Sequence, residues 1–430
     1  MKNQRPFILP LMKGLMEYIV VFTIILSNSI WNTKIGSPIT YGKLLFTFSI
    51  AMLLLFVICI FENRSTWIDN ESLIKIGVMI IILVLSTVAQ KEGRADYILF
   101  FCLPMVAASL FFAMNRDPET FWKRYMNVMA CVCLIALFFY VTGTVLKMIP
   151  PNGKVAYKWE MEYTADSWYH VYYEAYYGED SVFAFLPRKN TGLYTEAPMF
   201  MVYICLAIAG ELAFCRKPRK SLIAITVLTV CTTMSATGLI FLALIFFIWF
   251  YRTKFIQERK ILKYLVIPLF ICLALVAVIW IYNRKASVST ETASIAIRMD
   301  HMLTAFRLWL RSPLFGLGVG TSDLLIKESG YNQGMSVGLP VFLAESGILV
   351  FSIYGYAFIS SIVKSLRENK NLLYFSLGTF VLLFLTAVSY TPIMTCIICC
   401  LLTGQHRQEP QARIREILRR RLPSRRAMTV

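Results

Sequence analysis

Apolar runs of near-spanning length, separated by short polar breaks, recur along almost the whole chain. A hydrocarbon core about 30 Å thick takes roughly 20 helical residues to cross. Counted against that length, the runs predict spans near 15–31, 43–61, 73–89, 97–114, 126–148, 197–214, 221–235, 238–251, 263–282, 337–360, 372–388 and 390–403. The stretch from Ser221 to Tyr251 is apolar for longer than one helix needs, and Ser235-Ala236-Thr237-Gly238 divides it into two short helices. Pro392 interrupts the stretch from Leu372 to Leu402, which is either one kinked helix or two. Breaks at membrane depth survive only where protein or a wet cavity covers the freed backbone groups. The pattern therefore predicts an all-α integral membrane protein with about 12 transmembrane helices and two long extracytoplasmic loops, 149–196 and 283–336. Residues 1–403 form its membrane domain and 404–430 a basic cytoplasmic tail.

Composition removes the soluble alternatives. Hydrophobic residues make up 57% of the chain and charged residues only 16%, with a mean hydropathy of +0.62. A water-soluble domain of this length needs far more charge to cover its surface. No secretory cleavage site follows the first span, so that span is expected to remain as an anchor. No internal repeat is visible.

The net charge of +18 matters through its placement. Arg216, Lys217, Arg219 and Lys220 precede the 221–251 pair, and Arg252, Lys254, Arg259 and Lys260 follow it. Short basic loops stay on the cytoplasmic side, so the pair is a hairpin. With the same parity along the chain, both termini are cytoplasmic and both long loops face outward from a bacterial inner (plasma) membrane. The arginine-rich tail suits anionic membrane lipids, and no nucleic-acid role is expected. The 11 cysteines fall in or beside apolar spans, which predicts neither a disulfide framework nor a metal site.

Polar chemistry concentrates in the two long loops. The first interleaves Tyr157, Trp159, Tyr163, Trp168, Tyr169, Tyr172 and Tyr173 with Glu160, Glu162, Asp166 and Glu174. Aromatic faces stack on the apolar C–H faces of sugars while carboxylates accept hydroxyl hydrogen bonds; Trp168, Tyr169 and Tyr172 are the sugar-contact candidates. An interfacial aromatic belt is the competing reading. The loop closes in Arg188-Lys-Asn-Thr-Gly-Leu-Tyr-Thr-Glu-Ala-Pro198, at the mouth of a span. Arg188 offers a planar fork suited to phosphate oxygens, and Glu196 enters the first turn of the helix, where the dipole favours a carboxylate.

The second loop runs through Arg298, Asp300, His301, Arg307 and Arg311 into Ser-Pro-Leu-Phe-Gly-Leu-Gly-Val-Gly, residues 312–320. External arginines run against the positive-inside rule and want a reason. Arg298 and Arg307, nine apart, fall on opposed helix faces; Arg307 and Arg311, four apart, share one. The glycines let backbone N–H groups approach an anion. Beyond them, Glu345 stands inside an apolar span, in Leu-Ala-Glu-Ser-Gly-Ile-Leu, where a carboxylate faces a cavity or a partner cation, with a loop arginine the expected partner.

Taken in order, the 188–198 motif entering a span, Ser235–Leu239 within the apolar pair, Arg298 leading through Trp309 to residues 312–320, and Leu343–Leu349 opening the next helix resemble the O-antigen polymerase and O-antigen ligase superfamily. The resemblance covers roughly residues 188–350. It implies a metal-independent, cofactor-free membrane glycosyltransferase acting on glycans carried by undecaprenyl pyrophosphate, for O-antigen, capsule or exopolysaccharide synthesis. It assigns Arg188 and Arg298, with Arg307 and Arg311 nearby, to the pyrophosphate, and it suggests a flippase and a chain-length regulator as partners. Ligases of the family carry a histidine about nine residues before the glutamate of the last motif; here Ser336 stands there. That favours a Wzy-type repeat-unit polymerase over a ligase and leaves Glu196, His301 and Glu345 as general-base candidates. A lipid-linked oligosaccharide transporter remains the third reading, disfavoured by the missing repeat.

Overall fold

The computed structural model describes residues 8–35, 40–62, 68–89, 94–115, 117–159, 161–175, 188–259, 261–262, 264–265, 268–269, 289–318, 322–330, 337–367, 371–386 and 390–404. In chain order its main helices are α1 (Ile8–Ser27), α2 (Tyr41–Glu62), α3 (Asn70–Ala89), α4 (Ala95–Met114) and α5 (Pro118–Val145), then α6 (Ala197–Phe214), α7 (Lys220–Thr233) and α8 (Ala236–Tyr251). After these come α9 (Ser289–Trp309), α10 (Gly338–Arg367), α11 (Leu372–Leu385) and α12 (Pro392–Thr403). Each expected span apart from 263–282, which falls mostly outside the described residues, coincides with a helix. Among the described residues, seven helices are long and apolar enough to cross a membrane, namely α1 to α6 and α10; α7, α8, α11 and α12 are shorter apolar helices.

Helix α6 is apolar on every side and buried along almost its whole length, the signature of a helix at a bundle centre. It packs on α5, α7, α8 and α11. Trp122 of α5 anchors that packing. Its indole stacks on Phe214 with centroids 5.3 Å apart and meets the Phe375 edge at 4.9 Å. A Cβ at Gly210 would lie 2.4 Å from the Trp122 ring, so glycine is what lets the indole lie against α6. Lipid tails are as apolar as leucine, so this close fit, rather than water exclusion, holds the helices together.

The two ends of the bundle differ in kind. At one end, ion pairs tie helix termini together. Lys13 bridges Glu62 at 2.9 Å and reaches Asn115 at 3.3 Å, and Lys364 meets Glu71 at 3.5 Å. Arg219 forks onto the fully buried Glu211, with Nε to Oε1 and Nη2 to Oε2 both 2.8 Å, and also donates to the Lys123 carbonyl at 3.1 Å. One arginine thus joins α5, α6 and α7.

The other end carries a feature that the apolar pattern did not foretell. Part of the first long segment, expected as loop, folds into a three-stranded antiparallel sheet, β1 (Gly153–Trp159), β2 (Met161–Trp168) and β3 (Tyr172–Ala175), in sequential order. One face buries Val155, Tyr157, Ala165 and Tyr173 against Ile30 and Leu193. The Ile35 N–H donates to the Ala156 carbonyl on the β1 edge, and the Tyr173 N–H to the Gly192 carbonyl on the β3 edge, both at 3.0 Å. Both edges are therefore covered, as an exposed sheet requires.

The two internal breaks resolve as separate helices. Between α7 and α8, Met234 takes a left-handed φ of 49°, and the Asn190 N–H donates to the Thr232 carbonyl at 3.1 Å, covering a freed group. Before α12, Thr391 caps the helix and Pro392 occupies its first turn, where a missing N–H is harmless.

Candidate functional site

The segment 188–196 is pinned at nearly every residue. Asn190 donates through Nδ2 to Thr232 Oγ1 at 2.9 Å; Thr191 Oγ1 donates to the Tyr173 carbonyl at 2.7 Å; Ile30 N–H donates to the Leu193 carbonyl at 2.9 Å; and the Tyr194 hydroxyl donates to the Ile25 carbonyl at 3.1 Å. Gly192, at φ 56°, lies so close to Phe200 that a Cβ would sit 2.6 Å from the ring. The motif is thus a rigid strap linking the sheet, the end of α1 and the α7–α8 break. Glu196 ends it as the residue before α6, in extended conformation (φ −141°, ψ 146°), one position earlier than the first helical turn where it was expected.

At the start of the strap, Arg188 reaches back to a residue that the sequence did not single out. Its Nη1 pairs with Glu174 Oε1. Glu174 Oε2 accepts from Thr144 Oγ1 at 2.7 Å, and Thr144 in turn meets the Tyr172 hydroxyl at 3.1 Å. The Tyr140 hydroxyl donates to the Arg188 carbonyl at 3.0 Å. Tyr140 and Thr144 both come from a π-helical turn, Tyr140–Val145, at the end of α5; such turns redirect side chains locally. The carboxylate is buried while the Arg188 side chain keeps 42% of its surface exposed. Glu174 holds one nitrogen of an arginine that remains accessible.

The three aromatic candidates separate. Trp168 and Tyr172 are buried in the main core, where the Trp168 Nε1 donates to the Ile149 carbonyl at 2.9 Å and Tyr172 stacks on Phe139. Their rings are taken up by packing rather than presented to a sugar. Tyr169 is 62% exposed at the β2–β3 turn. It and His170 both take left-handed backbone angles, φ 52° and 57°. The turn is held by Tyr169 N–H donating to Asn152 Oδ1 at 2.8 Å and by Trp31 Nε1 donating to the His170 carbonyl at 2.8 Å. Two adjacent non-glycine residues in this region store strain that the surroundings must offset.

The second segment meets the first through charge. Arg298 and Arg307 lie on α9 and both are exposed. Partial desolvation pulls the Arg298 pKa down while the Glu196 carboxylate pulls it up, which sets these two side chains within electrostatic range. Glu196 also reaches Tyr157, whose phenol is pushed up to about 12 by burial first and by this carboxylate second. His301 is fully buried; burial lowers its pKa and the neighbouring Asp300 opposes the shift. Arg311 does not share a helix face with Arg307, because α9 ends at Trp309. It forks instead onto Glu328 at 2.6 and 2.7 Å.

Glu345 is buried in α10, with Tyr390 in electrostatic contact with it. Two residues on, Gly347 (φ 68°, ψ 176°) breaks the helix. The glycine-bearing run docks there: Leu317 N–H donates to the Ala344 carbonyl and Gly318 N–H to the Glu345 carbonyl, both at 3.0 Å, while Ile348 N–H donates to the Pro313 carbonyl at 2.9 Å. A Cβ at Gly316 would stand 2.2 Å from the Glu345 carbonyl oxygen. The Leu317 and Gly318 amides, expected to approach an anion, are thus committed to α10.

The end of the bundle opposite the ion-paired termini therefore gathers accessible arginines, one partly exposed carboxylate and an exposed tyrosine. Such a set can bind an anionic, sugar-bearing molecule and accept a proton. Among the described residues, no three His, Cys, Asp or Glu side chains are grouped so as to hold a metal ion. Neither the curated proteins nor the solved structures contain a match to the chain. One family model matches residues 18–367; its description is WcaD colanic acid polymerase.

Proposed function

Since this chain belongs to the WcaD colanic acid polymerase family, a family of repeat-unit polysaccharide polymerases, we propose that it joins repeat units carried on undecaprenyl pyrophosphate at the outer face of the inner membrane. The observation that carries this reading is the family match over residues 18–367, and the exposed Arg188 and Arg298 side chains of the two long segments support it. Basic residues 216–220 and 252–259 lie toward the ion-paired end, which suits a cytoplasmic face there and cytoplasmic termini.

In the proposed reaction Arg188 and Arg298 hold the donor pyrophosphate. An acceptor hydroxyl attacks the donor's anomeric carbon, the bond to the pyrophosphate oxygen breaks, and the pyrophosphate leaves with the electron pair. The hydroxyl proton passes to a base. Of the three candidates, His301 and Glu345 are buried and Glu196 is partly exposed, so Glu196 best meets an incoming hydroxyl. Arginine suits the leaving group because its fork stays charged at any working pH, and charge fixed where charge develops lowers the barrier. Tyr169, exposed on its strained turn, is the sugar platform. A flippase delivering substrate and a chain-length regulator are the expected partners.

The test is a single lipid-linked repeat unit given to purified protein with no second acceptor. A polymerase builds a ladder of products; a ligase leaves the substrate unextended, and a transporter moves it across a vesicle unchanged. An unextended substrate with well-folded protein would overturn the reading.

A further inference from the structure

Helix α9 is apolar on two opposite faces. On one, Ala305 and Leu308 are buried against Leu325, Val341 and Ala344, which fixes the helix to the first turns of α10. On the other, Met299, Leu303, Phe306 and Leu310 are 52, 47, 44 and 67% exposed. At roughly 100° per residue these four positions share about 60° of arc. Leu310 stays in register because its N–H still donates to the Phe306 carbonyl at 3.1 Å. Arg298 and Arg307 stand exposed on either side of this stripe. The acid nearest to it, Asp300, is turned to the Gly330 N–H at 2.8 Å. A helix that faces water hides its apolar side and shows a polar one; α9 does the first and not the second.

Its depth agrees with that pattern. The run that follows α9 docks on α10 at the Gly347 break, where the Ile348 N–H donates to the Pro313 carbonyl at 2.9 Å. That break lies about 14 Å along α10 from its Gly338 end. The whole helix, Gly338–Arg367, rises about 45 Å, roughly 15 Å more than the hydrocarbon core of a bilayer. With the excess shared between its ends, the docking point falls just inside the edge of that core. Leu314, in the docked run, is also exposed. The end of α9 is thereby held alongside the bilayer rather than above it.

We propose that the stripe Met299, Leu303, Phe306 and Leu310 is seated in the bilayer leaflet at this end of the bundle, with Arg298 and Arg307 reaching lipid phosphates at its two edges. Acyl chains then cover side chains that would otherwise meet water, and the long arginine stems lift their charges to headgroup level. A segment expected as outer loop becomes an element lying in the membrane surface, and its arginines gain a reason to stand there. A second copy of the chain would set like charges against one another across the stripe. A convex face flanked on both sides by cations fits a plane of phosphates instead.

The experiment reads which medium the stripe meets. Met299→Cys, Leu303→Cys, Phe306→Cys and Leu310→Cys are made singly in the full-length chain without native thiols and labelled with a nitroxide. The protein is placed in vesicles of phosphatidylethanolamine and phosphatidylglycerol with no lipid-linked substrate. Tyr169→Cys, on the exposed turn, serves as the water reference, and Phe246→Cys, exposed on the apolar helix α8, as the lipid reference. Oxygen should relax all four labels several-fold more than a water-soluble nickel chelate does, as at Phe246, with the reverse at Tyr169. Adding Arg298→Gln and Arg307→Gln should raise nickel contact at Leu303→Cys as the anchors are lost; an unchanged ratio would remove the arginines' part. Nickel-dominated relaxation along the stripe would overturn the seat. So would spin–spin broadening between copies, or an oxygen preference that appears only after lipid-linked substrate is added. The readout needs no turnover and is independent of the polymerase reading.

Discussion

Gly318 donates its backbone N–H to the carbonyl of Glu345 at 3.0 Å, joining two motifs that are 27 residues apart in the chain. The contact exists because Gly347 breaks α10 and frees carbonyls that the Leu317 and Gly318 amides then take. Neither side tolerates a side chain, since a Cβ on Gly347 would lie 2.4 Å from the Gly316 nitrogen.

Gly347→Ala should accordingly lose folded protein, combining that clash with a backbone conformation (φ 68°, ψ 176°) essentially open only to glycine, which costs a side-chain-bearing residue about 1–3 kcal/mol. Gly355→Ala, on the same helix with nothing within 4 Å of the added Cβ, should be neutral or stabilising by up to ~1 kcal/mol. Size-exclusion thermal melts of the detergent-solubilised pair test this. Equal melting points would mean that the docked loop is dispensable to the fold.

Arg188→Ala and Arg298→Ala should each abolish long polymer at near-normal protein level. Lysine at either site should restore little, because it keeps charge and loses the fork. Glu174→Gln should lower activity about tenfold by loosening Arg188, and in an Arg188→Ala background Glu174→Gln should add no further loss. Full-length glycan from both lysine variants would end the proposed role of these arginines.

Breaking the Arg219–Glu211 pair should act on stability alone. Arg219→Met leaves a fully buried carboxylate uncompensated, which costs about 3–5 kcal/mol in comparable sites. Turnover per folded molecule should stay at the wild-type level, since the pair lies at the far end from the strap. A fall in turnover without a fall in melting point would contradict this.

His301 makes a prediction about pH. Its folded pKa lies below the ordinary value of 6.5, so the unfolded chain binds the proton more readily. The stability that it contributes is complete above about pH 6.5 and is lost as pH falls through the folded pKa. His301→Gln should flatten that acid limb of the melting-point profile. An unchanged limb would show that His301 titrates normally.

Cysteines placed singly at Asp166 and Lys327, in a background without native thiols, should react with an impermeant maleimide in intact spheroplasts. Labelling confined to lysed cells would reverse the proposed orientation.

Much of this architecture was legible from the run lengths of apolar residues, because a bilayer imposes one length on every crossing. The break at Ser235 was readable for the same reason, whereas Pro392 marked an interruption without deciding between one kinked helix and two. The sheet was not readable. Tyr172, Tyr173 and Glu174 are all buried, so β3 shows no alternation of exposed and hidden positions, and its partner strands sit in an aromatic stretch that suits belt, loop or strand alike. Glu174 was one carboxylate among several until its distance partner, Arg188, was placed beside it. Trp168 and Tyr172 show the converse: aromatic density announces contact area without saying whether a ligand or the protein's own core receives it. The glycines at 316 and 347 signal close approach, but which backbone approaches which depends on contacts across the chain.

The break between α7 and α8 has one more consequence, for depth. These helices have 14 and 16 residues and rise about 21 and 24 Å, short of the roughly 30 Å of hydrocarbon that a bilayer presents. The strap is fastened to that break through Asn190 and Thr232, so its Arg188 end is tied to the point where the short pair stops, while Glu196 stays at the end of α6. Lipid must thin or tilt around so short a pair. The headgroup plane is thereby drawn toward the strap, which under the proposed function brings the phosphate of a lipid-linked donor closer to Arg188 while its tail stays in the oil.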